Sequence, residues 1–371
     1  MAEQLKNLYS KLFIEKLANR LFLTYENFKK ENFINSIFDT TWENLELKQR
    51  MRHIAHTLNK YLPFSYKEQL EILKEVKKDF TGLEAMIFQD FVEVFGLDDF
   101  EESMKALEIF TIDSSSEFAI RQFIIRYEEQ TINQMKIWAK SSNEHIRRLS
   151  CEGSRPRLPW AVALPKFKQN PIKPLEIIEL LKNDKSVYVQ KSVANNLNDI
   201  SKDNQQLVIE FVKQNLRISK ELDWICKHGS RTLLKKGNIE ILGLFSFDKS
   251  HHINLTNFCY DKSVNIDENL TFSFEINSDE IIGNIRIEYV IYYLKSNNIH
   301  NKKVFMISQN EIKSSSKKFI KKQSFKNMTT RKHYLGKHFI AILINGVEVL
   351  KEEFYLNDTS NWFTKKKQMW F

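Results

Sequence analysis

The chain has 371 residues, 42% of them hydrophobic and 28% charged, with a formal net charge of +9. That balance is the one expected of a soluble globular protein, and the length exceeds one ordinary core, suiting two domains or a solenoid with an appendage. No stretch approaches the roughly 18 uninterrupted apolar residues of a membrane span. The opening MAEQLKNLYSKLF lacks the apolar core and cleavage site of an export signal, so a cytoplasmic location is expected. The three cysteines, Cys151, Cys226 and Cys259, form no C-x-x-C pair and sit beside no histidines at zinc-finger spacing. They read as reduced thiols, and neither a metal nor a cofactor is expected. The positive charge favours a polyanionic partner, because neutralising phosphates releases condensed counterions, although many basic proteins bind no nucleic acid.

From the start to about residue 237 the pattern is helical. Leu5, Leu8 and Leu12 recur at helical spacing, as do Ile54, Leu58 and Leu62, and glycine and proline are scarce. Weak repetition accompanies the helices. NEHIRRLSCEG (143–153) resembles SVYVQKSVANN (186–196), with Ile146 against Val189, a shift of 189 − 146 = 43. LDWICKHGSRTLLKKG (222–237) follows with Trp224 laid against Val189, a shift of 224 − 189 = 35. Such periods belong to HEAT-type repeats, whose helix pairs bury their apolar faces only by stacking on neighbours. Five of the six prolines (Pro156, Pro159, Pro165, Pro171 and Pro174) fall between 156 and 174, which predicts an ordered turn and a long connection between helices.

After about residue 240 the period changes to two. Leu270, Phe272, Phe274 and Ile276 alternate with polar neighbours, as do Ile285, Ile287, Tyr289 and Ile291. FIAILI (339–344), Asn345-Gly346 and VEVL predict a hairpin, since Asn-Gly supplies a turn with positive φ. The expected organisation is a helical-repeat domain over 1–240, a β-sandwich over 241–358, and a poorly ordered tail over 359–371.

The stretch RRLSCEGSRPRLPWA (147–161) carries the chemistry. Glu152 closes a helix, Arg155 and Arg157 follow on a proline-stiffened turn, and Trp160 lies beyond. Arginine forks suit phosphate oxygens, and an indole face suits a base or a cation. The plain alternative is a helix end whose arginines pair nearby acids, with a buried tryptophan.

EGSRPRLPWA, preceded by SSSEFAIRQFI (114–124) and followed by YVQKSVANNLNDISKD (188–203) and WICKHGSRTLLKKG (224–237), resembles the AlkC branch of the AlkC/AlkD alkylation-repair glycosylases. The similarity runs in order through most of residues 1–237. IRIEYVIYYLK (285–295) and TTRKHYLGKH (329–338) resemble the immunoglobulin-like domain of the longer AlkC subgroup. The resemblance implies a multidomain fold, an all-α HEAT-like repeat superhelix followed by an all-β immunoglobulin-like sandwich. It also implies hydrolysis of the N-glycosidic bond of N3-methyladenine and N3-methylcytosine in double-stranded DNA, with monomeric action the default for such glycosylases. Position by position it places catalytic carboxylates at Glu117 and Glu152, an aromatic lining at Trp160 and a further acid at Asp199.

These residue types fit that chemistry. An alkylated base is cationic and leaves without a strong general acid, so negative charge near the developing oxocarbenium and a base for water are what help. A lyase would need an activated lysine, and none lies between Glu152 and Trp160, so monofunctional hydrolysis to an abasic site is expected. Each residue keeps a plainer reading: Glu117 in a first helical turn, Glu152 tied to Arg155, Trp160 in the core, Asp199 between helices. Arg147, Arg148, Arg155, Arg157, Lys191 and Lys227 are candidates for phosphate contact, and His228 for packing. Lys313, Lys317, Lys318, Lys321, Lys322, Lys326, Arg331, Lys332 and Lys337 form a second basic cluster on loops or an edge strand, where lysines also prevent aggregation. The competing reading is a catalytically inactive repeat scaffold that binds DNA or protein. A zinc deaminase is excluded by the missing H-x-E and P-C-x-x-C signatures.

Overall fold

A computed structural model describes residues 4–247, 252–328 and 332–358. The expected tail (359–371) and Arg331 lie outside the described residues. The chain divides into two compact units between Gly229 and Ser230. The first holds helices α1 (Lys11–Thr24), α2 (Lys30–Ile37), α3 (Leu47–Tyr61), α4 (Tyr66–Lys77), α5 (Met86–Phe95), α6 (Phe100–Phe110) and α7 (Ile120–Arg126). It continues through α8 (Glu128–Trp138), α9 (Glu144–Gly153), α10 (Pro165–Gln169), α11 (Ile172–Leu181), α12 (Val187–Ile200), α13 (Gln205–Asn215) and α14 (Lys220–Gly229).

Helices α9, α12 and α14 pack as a group, with α12 against both of the others. Polar caps start two of them. The Asn143 side chain accepts from the His145 amide, and Ser186 accepts from Tyr188, satisfying donors that the first turn leaves without a partner. Their apolar faces bury Ile146 and Leu149 from α9, Val189, Val193 and Leu197 from α12, and Leu222 and Ile225 from α14. Each such side chain contributes roughly 1.5–3 kcal/mol. Ile146 and Val189 take corresponding buried positions, as the shift of 43 expects. Trp224 does not: it is 39% exposed and stacks on His228 with ring centroids 4.9 Å apart, while Leu222 and Ile225 fill the interior.

The proline-rich segment departs from the expected long connection. Pro165 opens the short α10, Pro171 stands at the cap of α11, and Pro174 lies in its first turn. Proline is tolerated there because the first-turn amides have no intrahelical acceptor to lose. Only the span between α9 and α10 is irregular.

The second unit opens with α15 (Arg231–Lys235) and α16 (Ile239–Leu244). Strands β1 (Asn254–Tyr260), β2 (Ser263–Asn265), β3 (Asn269–Asn277), β4 (Gly283–Leu294), β5 (His300–Ile312), β6 (Ser316–Ser324), β7 (Gly336–Ile344) and β8 (Val347–Asn357) follow. They form a three-stranded sheet in the order β1-β3-β6 and a five-stranded sheet in the order β2-β8-β7-β4-β5. Pairing is antiparallel except between β2 and β8. Leu270, Phe272, Phe274 and Ile276 of β3 face Ile285, Ile287, Tyr289 and Ile291 of β4 in one core, with Ile340, Ile342, Ile344 and Phe354. The helical unit followed by a sandwich is the architecture expected.

The alternation predicted for β4 is only half of its burial. Arg286, Glu288 and Val290, on its other face, are buried as well, with Ala341 and Leu343 beside Val290. Arg286 and Glu288 pair with each other, which makes burial of both tolerable. The Asn345-Gly346 turn forms as predicted, with φ of 48° and 80°. A side chain at Gly346 would also meet Gly237 Cα at 2.8 Å and Leu242 Cδ1 at 2.9 Å, so the turn needs glycine for space as well as for φ. Among the described residues no helix is long and apolar enough to cross a membrane.

The thiols differ in reactivity on this fold. Cys151 and Cys226 are buried, and burial pushes both up to about 12, whereas Cys259 is exposed on β1. Iodoacetamide at pH 8 is expected to label Cys259 in the native protein, and Cys151 and Cys226 only after unfolding. Peptide mass spectrometry reads the order, and early labelling of Cys151 would contradict this packing.

Candidate active site and nucleic-acid interface

Helices α9 and α12 run side by side, and each carries a polar stripe toward the other. On α9 and the turn after it the stripe is Arg148, Glu152 and Arg155; on α12 it is Tyr188, Ser192, Asn196 and Asp199. Steps of four and three residues put each set on one helical face. The stripes meet through bonds whose partners lie 40 to 45 positions apart, bracketing the repeat shift. Ser192 donates to Glu152 Oε2 at 2.6 Å, and the Asn196 amide donates to the Cys151 carbonyl at 3.0 Å and Ser154 Oγ at 3.2 Å.

Along this seam the charges alternate. Glu117, in the turn before α7, meets Arg148 at 2.6 Å, and Arg148 reaches Glu152 at 3.6 Å. Glu152 pairs with Arg155 at 2.6 Å, Arg155 with Asp199 at 2.8 Å, and Asp199 with Lys202 at 2.9 Å. Ser115 donates to Glu117 and accepts from Arg148, closing one end. Burial alone would depress the two guanidiniums. The carboxylates on either side outweigh it and hold Arg148 and Arg155 above the ordinary arginine value. The Arg148 guanidinium also lies over the Tyr188 ring, 4.8 Å from its centroid.

Access along the run is graded. Asp199 is 1% exposed and Glu152 5%, whereas the Glu117 side chain is 15% exposed. Glu117 lines an open cleft of about 620 Å³ together with Met86, His145, Arg148 and Tyr188. Its Oε2 takes the bonds from Arg148 and Ser115; no hydrogen bond reaches Oε1 among the described residues.

The turn between α9 and α10 carries Trp160, 62% exposed and in the left-handed region with φ of 63°. A non-glycine residue there is strained, and such strain concentrates at functional positions. Two side chains from elsewhere hold the turn. Lys48 of α3 donates to the Trp160 carbonyl at 2.8 Å, its ammonium also over the ring of Phe118. Arg121 of α7 donates to the carbonyls of Gly153 and Arg155. Gly153 is required at the joint, because a Cβ there would stand 2.6 Å from Ile120 Cγ2 and 2.9 Å from Met135 Cε.

The structure thus joins Glu117, Arg148, Glu152, Arg155 and Asp199 in one connected run. Trp160 and Arg157 lie outside it. Arg157 grips Asp203 with both arms at 2.9 and 2.6 Å, and Arg147 grips Asp184 while capping the Ser141 and Ser142 carbonyls. Arg147 therefore ties the start of α9 to the turn before α12. Arg155 is 7% exposed with acids on both sides, so its donors also face inward. Lys191 and Lys227 are exposed on α12 and α14. Sequence reasoning missed Ser115, Ser192, Tyr188, Lys202, Lys48 and Arg121. A polar stripe spaced four and three on otherwise apolar α12 was a readable signal for Tyr188 and Ser192. Lys48 had none, since its partner is 112 positions away. Among the described residues no group of three or more His, Cys, Asp or Glu side chains could hold a metal ion.

In the β unit, β6 is an edge among the described residues, paired with β3. Lys317, Lys318 and Lys322 are exposed on it, and Lys337 of β7 pairs with Glu353.

Residues 97–233 match the family model for DNA alkylation repair enzyme, and residues 255–358 that for the C-terminal Ig-like domain of uncharacterised protein YhaZ. Uncharacterized protein YhaZ of Bacillus subtilis (strain 168) is 43% identical over 344 residues, covering 92% of this chain and 96% of that protein. A solved structure of Pseudomonas fluorescens alkylpurine DNA glycosylase AlkC, bound to DNA containing an abasic site analog, is similar with a TM-score of 0.92. Identity is 31%, covering 96% of this chain and 100% of that one. This chain belongs to the AlkC family of DNA alkylation-repair enzymes. In this AlkC-family chain, every residue of the alternating run lies within the segment matched by the repair model.

The run predicts unequal costs of disruption. Asp199→Ala takes from the buried Arg155 one of its two acids, leaving Glu152, and is expected to lower unfolding stability by about 3 kcal/mol. Arg157→Ala breaks a half-exposed pair and is expected to cost about 1 kcal/mol or less. Urea denaturation with an unchanged slope measures both; equal losses would show that the run is not a buried unit.

Proposed function

We propose that this protein is a monofunctional DNA glycosylase that hydrolyses the N-glycosidic bond of cationic alkylated bases, N3-methyladenine and N3-methylcytosine, in duplex DNA. It acts as a monomer and leaves an abasic site. The observation that carries the reading is the alternating run, which sets three carboxylates between cations along one seam and ends with Glu117 in an open cleft. A deoxyribose losing a cationic base develops positive charge at C1′, and fixed carboxylates lower the energy of that charge without reorganising. Glu117 Oε1 has the capacity to accept a proton from the attacking water. Glu152, braced by Ser192, Arg148 and Arg155, supplies fixed negative charge, and Asp199 extends it.

The exposed indole of Trp160 offers a face to a cationic base or to the unstacked partner of one. Arg148, Arg157, Lys191 and Lys227 are assigned to the phosphate backbone, and the lysines of β6 to a second contact on the same polyanion. Arg155 is assigned to holding Glu152 and Asp199, because its donors are already engaged by them. The relative described as an alkylpurine DNA glycosylase bound to abasic-site DNA supports the same reading.

Single-turnover release of N3-methyladenine from methylated duplex DNA tests it. Wild-type protein is expected to release the base. Glu117→Gln and Glu152→Gln are expected to lose about 10²-fold or more in rate while still binding an abasic-site duplex. Wild-type protein that binds DNA but releases nothing would instead make this an inactive scaffold.

A further inference from the structure

The irregular turn after α9 must place Trp160 relative to Glu152, yet it has few bonds of its own. Within it Ala161 N meets the Leu158 carbonyl at 3.4 Å, and Leu164 N meets the Pro156 carbonyl at 3.2 Å. Pro156 and Pro159 donate nothing. The remaining polar ties come from outside, and three converge on one group. Arg121 Nε donates to the Val162 carbonyl at 2.5 Å, and Nη1 donates to the carbonyls of Gly153 at 3.0 Å and Arg155 at 2.8 Å. Gly153 and Arg155 stand at the beginning of the turn and Val162 near its end, so a single planar cation staples both flanks.

We infer that Arg121 is a positioning residue for base excision, fixing the 153–162 turn so that Glu152 and Trp160 address the same nucleotide. The inference rests on the glycosylase reading above. Arg121 lies in the first turn of α7, four residues after Glu117, so it also ties the element carrying Glu117 to the turn carrying Trp160.

The side chain is 0% exposed, and among the described residues no carboxylate pairs with it. Burial, and then the charge of Arg155, push it down to about 10, which leaves it charged at neutral pH. Its Nη2 is buried with no hydrogen-bond partner. A buried cation facing only carbonyls is a costly way to fill space, and aliphatic side chains do that better. What a guanidinium adds is a rigid fork that fixes several oxygens at once, which a lysine ammonium cannot reproduce.

The test compares wild type, Arg121→Ala and Arg121→Lys in thermal melting, single-turnover base release and amide hydrogen exchange over 154–164. Arg121→Ala is expected to excise about 10²-fold more slowly, the scale of an ångström-sized misplacement. It is also expected to lose exchange protection within the turn, with millimolar guanidinium restoring part of both. Combining it with Trp160→Ala should cost little beyond either change alone, since each removes the same placement. Should Arg121→Ala fail to fold, Arg121→Lys, which retains the charge, is expected to show the same losses without rescue. A folded variant with wild-type excision and protection overturns the inference and leaves the glycosylase reading intact. Wild-type protein inert toward methylated DNA overturns that reading instead, and the exchange measurement alone then decides whether Arg121 clamps the turn.

Discussion

Three carboxylates along one seam repel each other, and the low dielectric around the buried ones makes that repulsion costly unless cations stand between them. The alternation Glu117–Arg148–Glu152–Arg155–Asp199–Lys202 removes that penalty by giving every acid a cation neighbour. The rest of the helical unit is arranged to make the alternation possible. Helices α9 and α12 must lie alongside with their faces in register, so that Ser192 meets Glu152 while Asp199 meets Arg155. A slide of one helical turn would pair like charges. Register is thus enforced by electrostatics as well as by the apolar contacts of Ile146, Val189 and their neighbours.

The same seam explains why an irregular turn is tolerated beside it. Gly153 lets α9 end in direct contact with Ile120 and Met135, where any side chain would push the helix away. Prolines restrict the chain that follows, so it loses less entropy on ordering than a flexible loop would. Trp160 sits in an unfavourable backbone conformation with most of its indole in solvent. Neither property helps folding. Both make sense for a side chain that acts only when something docks against it.

Much of this was legible in the sequence, for identifiable reasons. The change of period near 240, the alternation in β3 and the Asn345-Gly346 turn are local signals, and the structure follows them. Glu152 at a helix end beside Arg155 and Trp160 was visible as a local conflict, because an acid there opposes the helix dipole. What was not legible depended on partners far along the chain. Nothing near Arg155 or Arg157 in the sequence reveals their partners Asp199 and Asp203, 44 and 46 positions on. The Asp184 partner of Arg147, 37 positions on, is hidden in the same way. Laying Trp224 against Val189 fails because Leu222 and Ile225 fill the interior there, and its stacking on His228 is a surface arrangement. In β4 the period of two hid burial on both faces, since Arg286 and Glu288 pair with each other and read as solvent-facing.

The lysine-rich edge strand has a consequence for how copies of this protein behave toward one another. Beyond its pairing with β3, β6 leaves a row of backbone donors and acceptors that a second strand could extend. Lys317, Lys318 and Lys322 keep such a strand away by like-charge repulsion, whose reach is set by the salt around it. That reach is about 10 Å at 0.1 M ionic strength and about 3 Å at 1 M. The edge is therefore best guarded in dilute buffer and least guarded where salt screens the lysines. Added salt is therefore expected to favour edge-to-edge association of two copies at this strand.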